Sequence, residues 1–126
     1  MGRLQDKVAV ITGAAKGIGY ETARTFINEG AQVVMSDLDV ERGEAASEFL
    51  GTSCSFIEQD VTDESSWNKL ADHIKTNYGR IDILVNNAGI LATETTQNIG
   101  TTTLAQWRTV QQVNVEGVFM GCRMAV

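Results

Sequence analysis

Four polar clusters each stand directly after a short apolar run, and their residue types suit a ligand carrying phosphates and a sugar. The turn "TGAAKGIG" (12–19) follows "KVAVI" (7–11), and Asp37 follows "AQVVMS" (31–36). Asp60 comes just after "CSFIE" (54–58), and Asn86-Asn87-Ala88-Gly89 follows "IDILV" (81–85). Glycines at 13, 17 and 19 let the backbone approach an anion with no Cβ in the way. The unpaired N–H groups and dipole of a following helix favour a pyrophosphate at that point. Asp37 stands 18 residues after Gly19, near the ~20 at which a carboxylate meets a ribose 2′-hydroxyl.

A carboxylate at Asp37 repels a 2′-phosphate, so the spacing predicts NAD in preference to NADP. Lys16, inside the glycine turn, is the contrary feature, since a basic residue attracts that phosphate. Asp37 outweighs it because desolvating a carboxylate beside a phosphate dianion is strongly unfavourable. Asp39 reads as a helix N-cap rather than a second ligand. Asp60 reads equally well as a turn residue or as a ligand.

The elements that position these clusters follow from periodicity. The four runs are short, rich in β-branched residues and apolar on both faces, as in a parallel sheet covered on both sides. Between them lie three helical stretches. Ile18, Ala23, Phe26 and Ile27 share a face in the first, which closes near Gly30. The second runs from Asp39 to Leu50 and closes at Gly51. The third carries Trp67, Leu70, Ala71, Ile74 and Tyr78 on one face and meets Gly79. A last helix is expected from about Leu104 onward, after the long polar connection "LATETTQNIGTTT" (91–103), which is either a solvated or a functional loop. The pattern β-α-β-α-β-α-β predicts an α/β, Rossmann-like, doubly wound parallel sheet in the strand order 3-2-1-4. Residues 1–126 read as a single domain with strands 1–4 plus the final helix, an incomplete version of that sheet with an apolar edge at strand four.

Composition excludes several alternatives. A formal charge of −6 over 126 residues argues against nucleic-acid binding, which needs clustered Lys and Arg. No apolar run approaches the ~20 residues of a membrane helix, and no signal peptide precedes the first strand. Cys54 and Cys122 match no metal or redox spacing and read as small buried residues in a reducing, cytoplasmic compartment. His73 reads as a surface residue with no second metal ligand nearby.

Taken together, these motifs resemble the short-chain dehydrogenase/reductase family over residues 4 to 126. The turn is similar to that family's TGxxxGxG variant, which accounts for glycine spacing unlike GxGxxG. The resemblance places Lys16 and Ile18 with the three glycines around the pyrophosphate, and Leu38 beside Asp37 at the adenosine ribose. It places Asp60-Val61 at the adenine ring, and Asn87, Ala88 and Gly89 along the cofactor. "VNVEGVF" (113–119) resembles the stretch that carries the family's catalytic asparagine, here Asn114, which there helps hold a water in a proton relay. The implied reaction is hydride transfer between NAD(H) and a small secondary alcohol or ketone, with the flavour of alcohol and hydroxysteroid dehydrogenases. The final helix implies a homo-oligomer contact, with Gly117 and Gly121 permitting close approach of another backbone.

Asn114 shares a spacing of four with Val110, Val118 and Cys122, an apolar stripe in which a buried amide needs partners. The family's Tyr-x-x-x-Lys pair and preceding serine find no match. Tyr20 and Tyr78 are followed four residues later by Arg24 and Asp82, and no Tyr, Ser or Lys follows Asn114. The expectation is therefore the cofactor-binding half of a longer dehydrogenase, inactive by itself. The alternative is a non-catalytic NAD-binding module.

Overall fold

The computed structural model describes residues 2–91 and 98–126. The first apolar run forms strand β1 (Val8–Thr12), all five of whose residues are buried. β-branched side chains on both faces suit a central strand. Helix α1 (Gly17–Asn28), strand β2 (Gln32–Asp37), helix α2 (Val40–Leu50), strand β3 (Cys54–Glu58), helix α3 (Glu64–Asn77) and strand β4 (Ile83–Val85) follow. The sheet is parallel in the order β3-β2-β1-β4, as the sequence predicts.

Strand alternation divides the interior in two. Ala9, Ile11, Val33 and Met35 face α1 and α2, where Ala23, Phe26 and Leu50 close over them. Val10 and Val34 face the other way, onto Trp67, Leu70 and Ile74 of α3 and Met120 and Met124 further on. The sheet is thus covered on both sides, and its carboxyl edge is left for the turns that follow each strand.

Local chemistry sets the ends of the elements. Asp39 caps α2 by accepting from Arg42 N at 3.1 Å, as its sequence position predicts, and Gly51 ends that helix with φ of 99°. β4 is shorter than the apolar run from Ile81 suggests. Asp82 ties to Val8 twice, its own amide donating to the Val8 carbonyl at 2.8 Å and its Oδ2 accepting from Val8 N at 2.8 Å. A side-chain brace replaces the ladder there.

Several expectations need correction. The last helix is not uniform: α4 (Leu104–Gln111) passes into a π-helical segment (Gln112–Glu116) and then α5 (Gly117–Ala125). Asn114 and Cys122 are exposed while Val110 and Val118 are half-buried, so the spacing of four does not mark a buried stripe. Gly117 and Gly121 are buried inside the chain itself, against Val61 and against Asn86 and Trp67. His73 is half-buried, with Nε2 at 3.2 Å from Ser55 Oγ, whose other neighbour is Tyr78 OH at 2.9 Å. Cys54 is half-buried and Cys122 exposed. The polar connection expected at 91–103 falls partly on residues 92–97, outside the described residues.

Candidate functional site

The carboxyl edge of the sheet opens into a cleft of about 470 Å³ lined by the turns after all four strands. It brings together Gly13, Lys16, Gly17, Ile18, Asp37, Leu38, Asp60, Val61, Asn87, Ala88 and Gly89, and adds Ser36, Gln59, Ile90 and Val113. Two expected residues lie off the wall. Gly19 sits beneath the turn, and Asn114 stands behind Gly89, where a Cβ on the glycine would come within 3.3 Å of Asn114 Oδ1.

The three glycines do different work. Gly13 has φ of 64°, and a Cβ there would lie 2.9 Å from Ala88 Cα. Gly19 packs so tightly that a Cβ would overlap the Gly13 carbonyl oxygen and Asn87 Nδ2. Gly17 has φ of 61° with open space where its Cβ would project. That open space lies at the start of α1, whose N-cap residue Lys16 makes no side-chain cap and whose first turn holds no acid. Helix amides left uncapped beneath a bare glycine surface fit a pyrophosphate.

The turn is braced from β4. Thr12, the polar end of an otherwise apolar strand, accepts at Oγ1 from Asn87 N at 3.1 Å and Ala88 N at 3.0 Å. Asn87 Nδ2 donates to the carbonyls of Thr12 at 3.1 Å and Gly13 at 3.0 Å. Asn87 therefore holds the turn in shape as well as lining the cleft. Beside it, Asp37 accepts from Ala15 N at Oδ2 and from Asp39 N at Oδ1, both at 3.0 Å. Its carboxylate is fixed at the end of β2 by backbone on either side, with Lys16 across the same cleft.

Asp60 serves as a turn residue and also lines the wall. Its Oδ1 accepts from Thr62 N at 2.9 Å and Thr62 Oγ1 at 2.6 Å, while its other oxygen has no partner among the described residues. Val61 is held by Trp67, whose Nε1 donates to its carbonyl at 2.8 Å. Asn114 makes a reciprocal pair with Ile90, accepting from its N and donating to its O, both at 2.8 Å. The asparagine thus ties the π-helical segment to the chain beyond β4. π-helical turns are concentrated at functional sites.

Sequence reasoning missed Ser36, Gln59, Ile90 and Val113 as wall residues. Ser36 and Gln59 each had a signal: a polar residue at the inward alternation of a strand's carboxyl end. Among the described residues, no group of three or more His, Cys, Asp or Glu is arranged to hold a metal. No helix among them is long and apolar enough to cross a membrane.

Comparison with known proteins adds a separate line. The family described as "short chain dehydrogenase" matches residues 7–126. An NADP-dependent (R)-specific alcohol dehydrogenase of Lentilactobacillus kefiri is 37% identical over 98% of this chain and 49% of its own length. A 3-alpha-(or 20-beta)-hydroxysteroid dehydrogenase of Mycobacterium bovis is 39% identical over 99% of this chain and 47% of its own. A crystal structure of a short-chain dehydrogenase/reductase described as glucose/ribitol dehydrogenase, from Brucella melitensis, superposes with a TM-score of 0.91 at 30% identity. That match covers 99% of this chain and 53% of the other. The chain spans about half the length of the curated relatives it matches.

Proposed function

The chain belongs to the short-chain dehydrogenase family, and from that premise we propose that it is the NAD(H)-binding half of an oxidoreductase acting on a secondary alcohol or ketone. When bound, the nicotinamide supplies the hydride acceptor or donor. The chain's residues bind and orient the dinucleotide. The uncapped start of α1 and Gly17 receive the pyrophosphate, Asp37 the adenosine ribose, Asp60 and Val61 the adenine, and Asn87 to Gly89 the wall along which the cofactor extends. Asn114 holds the backbone at Ile90 and in this reading contributes to proton relay through the π-helical segment.

The observation that carries the proposal is the cleft itself, in which the glycine turn, a fixed Asp37 carboxylate and the Asn87 brace meet at one sheet edge. Preference for NAD rests on Asp37. A relative whose name is NADP-dependent makes Lys16 the rival determinant. The relatives named for alcohols and hydroxysteroids support the substrate class. The 126 residues hold no Tyr-x-x-x-Lys pair, so turnover by them alone is not expected.

A homo-oligomer contact through the last helix belongs to the same proposal. Trp107, Val115 and Phe119 are each more than half exposed along it, on the side away from Gly117 and Gly121. A cytoplasmic location accords with two unpaired cysteines. The test is titration of the purified chain with NADH and NADPH by fluorescence. Tighter NADH binding without alcohol oxidation is expected. Absence of binding to either would overturn the reading, and robust turnover would remove its inactive part.

A further inference from the structure

Gln59 holds a buried side-chain atom that finds no partner among the described residues. The residue is 2% exposed and follows β3 on the same alternation as Ser55 and Ile57. Its backbone N–H donates to the Asp37 carbonyl at 3.0 Å. Its Oε1 accepts the hydroxyl hydrogen of Ser36 at 2.6 Å, and Nε2 meets nothing. Turning the amide round would bond Ser36 through Nε2 and leave Oε1 unpaired instead, because a hydroxyl both donates and accepts. An orphaned amide group of this kind is unfavourable in an interior. Yet Ser36 and Gln59 both line the cleft, between Asp37 and Asp60.

We infer that Gln59 is a recognition residue for the adenosine part of the dinucleotide, its Nε2 donating to a ring nitrogen or sugar oxygen. The inference rests on the cofactor reading above. Its chemistry complements the neighbours. The carboxyl oxygens of Asp37 and Asp60 suit the ligand's hydroxyl and amino donors. Adenosine also carries acceptors in its ring nitrogens and sugar oxygens, and Gln59 brings a side-chain donor to that stretch of wall. Burial holds the amide ready, since Ser36 fixes one end and backbone fixes the residue.

The probe is ADP-ribose, which has the adenosine and pyrophosphate without nicotinamide. In ¹⁵N-labelled protein the Gln59 side-chain amide is assigned by its loss in Gln59→Met. Saturation with ADP-ribose is expected to shift that signal and slow its exchange with water. Gln59→Met is expected to weaken ADP-ribose about three- to tenfold, the size of one net hydrogen bond. Ser36→Ala/Gln59→Met, which removes both ends of the internal bond, should weaken it equally while keeping the unfolding midpoint near that of the unaltered chain. An unmoved Gln59 signal at saturation, or affinity within twofold in both variants, overturns the inference alone. Failure of the unaltered chain to bind ADP-ribose overturns the cofactor reading and this inference with it.

Discussion

Thr12 accepts two hydrogen bonds from Asn87 across the carboxyl edge of β1 and β4. Asn87 N donates to Thr12 Oγ1, and Asn87 Nδ2 donates to the Thr12 carbonyl, both at 3.1 Å. The pair joins the strand that opens the glycine turn to the strand that faces it. Asn87→Ala strands the Thr12 and Gly13 carbonyls and is expected to cost about 1–3 kcal/mol. Asn87→Asp is expected to cost more, because it aims a carboxylate at two carbonyl oxygens. Urea unfolding of both variants checks the order, and an Asp variant as stable as Ala would show the brace to be unimportant.

Gly17 and Gly19 separate binding from packing. Gly17→Ala meets no atom but must hold φ of 61°, a strain of about 1–2 kcal/mol, and its methyl projects where the pyrophosphate is proposed to lie. Gly19→Ala overlaps the Gly13 carbonyl oxygen and is expected to cost about 1–3 kcal/mol or more as overpacking. The expected signature is a large loss of NADH affinity with a modest stability loss at Gly17, and loss of both at Gly19. Unchanged NADH affinity in Gly17→Ala would move the pyrophosphate elsewhere.

What was legible in the sequence was local. The continuous apolar run from Val8 announced a strand buried on both faces, and glycine, Asp37 and Asn87 announced the edge because each stands at the end of such a strand. The features that escaped depend on partners distant in the chain. Nothing near Gln59 reveals that Ser36, 23 residues away, takes one end of its amide and leaves the other bare. The spacing of four through Asn114 presumes an α-helix, and the π-helical segment breaks that presumption. Small residues at Gly117 and Gly121 announce close packing, but not that Val61 and Trp67 of the same chain are the neighbours.

Asp37 sets the expected cofactor preference. Asp37→Ser removes the charge that repels a 2′-phosphate while Lys16 stays in the cleft. The ratio of NADPH to NADH affinity should rise at least tenfold, about 1.4 kcal/mol. Some stability should also be lost, since Ala15 N and Asp39 N lose their carboxylate acceptor. Paired fluorescence titrations measure the ratio. If it does not move, discrimination lies with another residue.

Asp82 makes the fold sensitive to acid. The hydrogen bond from Val8 N, aided by the Arg80 guanidinium at 2.9 Å, holds its carboxyl below the usual carboxylate range. A group whose folded pKa is depressed contributes its full stability above its unfolded value of 3.8. That contribution is lost as pH falls from there through the lower folded value. Glu29, held down by Arg3, acts in the same direction at the C-terminal end of α1. The melting temperature of the unaltered chain should therefore fall more steeply below about pH 4 than that of Asp82→Asn. Parallel curves for the two would mean that the brace to Val8 does not titrate.

Asn114 is the joint between the π-helical segment and the chain beyond β4, and its two bonds to Ile90 can be tested separately. Asn114→Ala removes both and is expected to cost about 0.5–1.5 kcal/mol for each, at the lower end because the residue is exposed. Asn114→Asp keeps an acceptor for Ile90 N but sets a carboxylate oxygen against the Ile90 carbonyl. Hydrogen exchange distinguishes the cases. The Ile90 amide should exchange faster in Asn114→Ala and stay protected in Asn114→Asp, although both variants lose stability. Equal protection of Ile90 in Asn114→Ala and in the unaltered chain would mean that water replaces the side chain without cost, and the joint would then have to be sought in the packing of Gly117 on Val61.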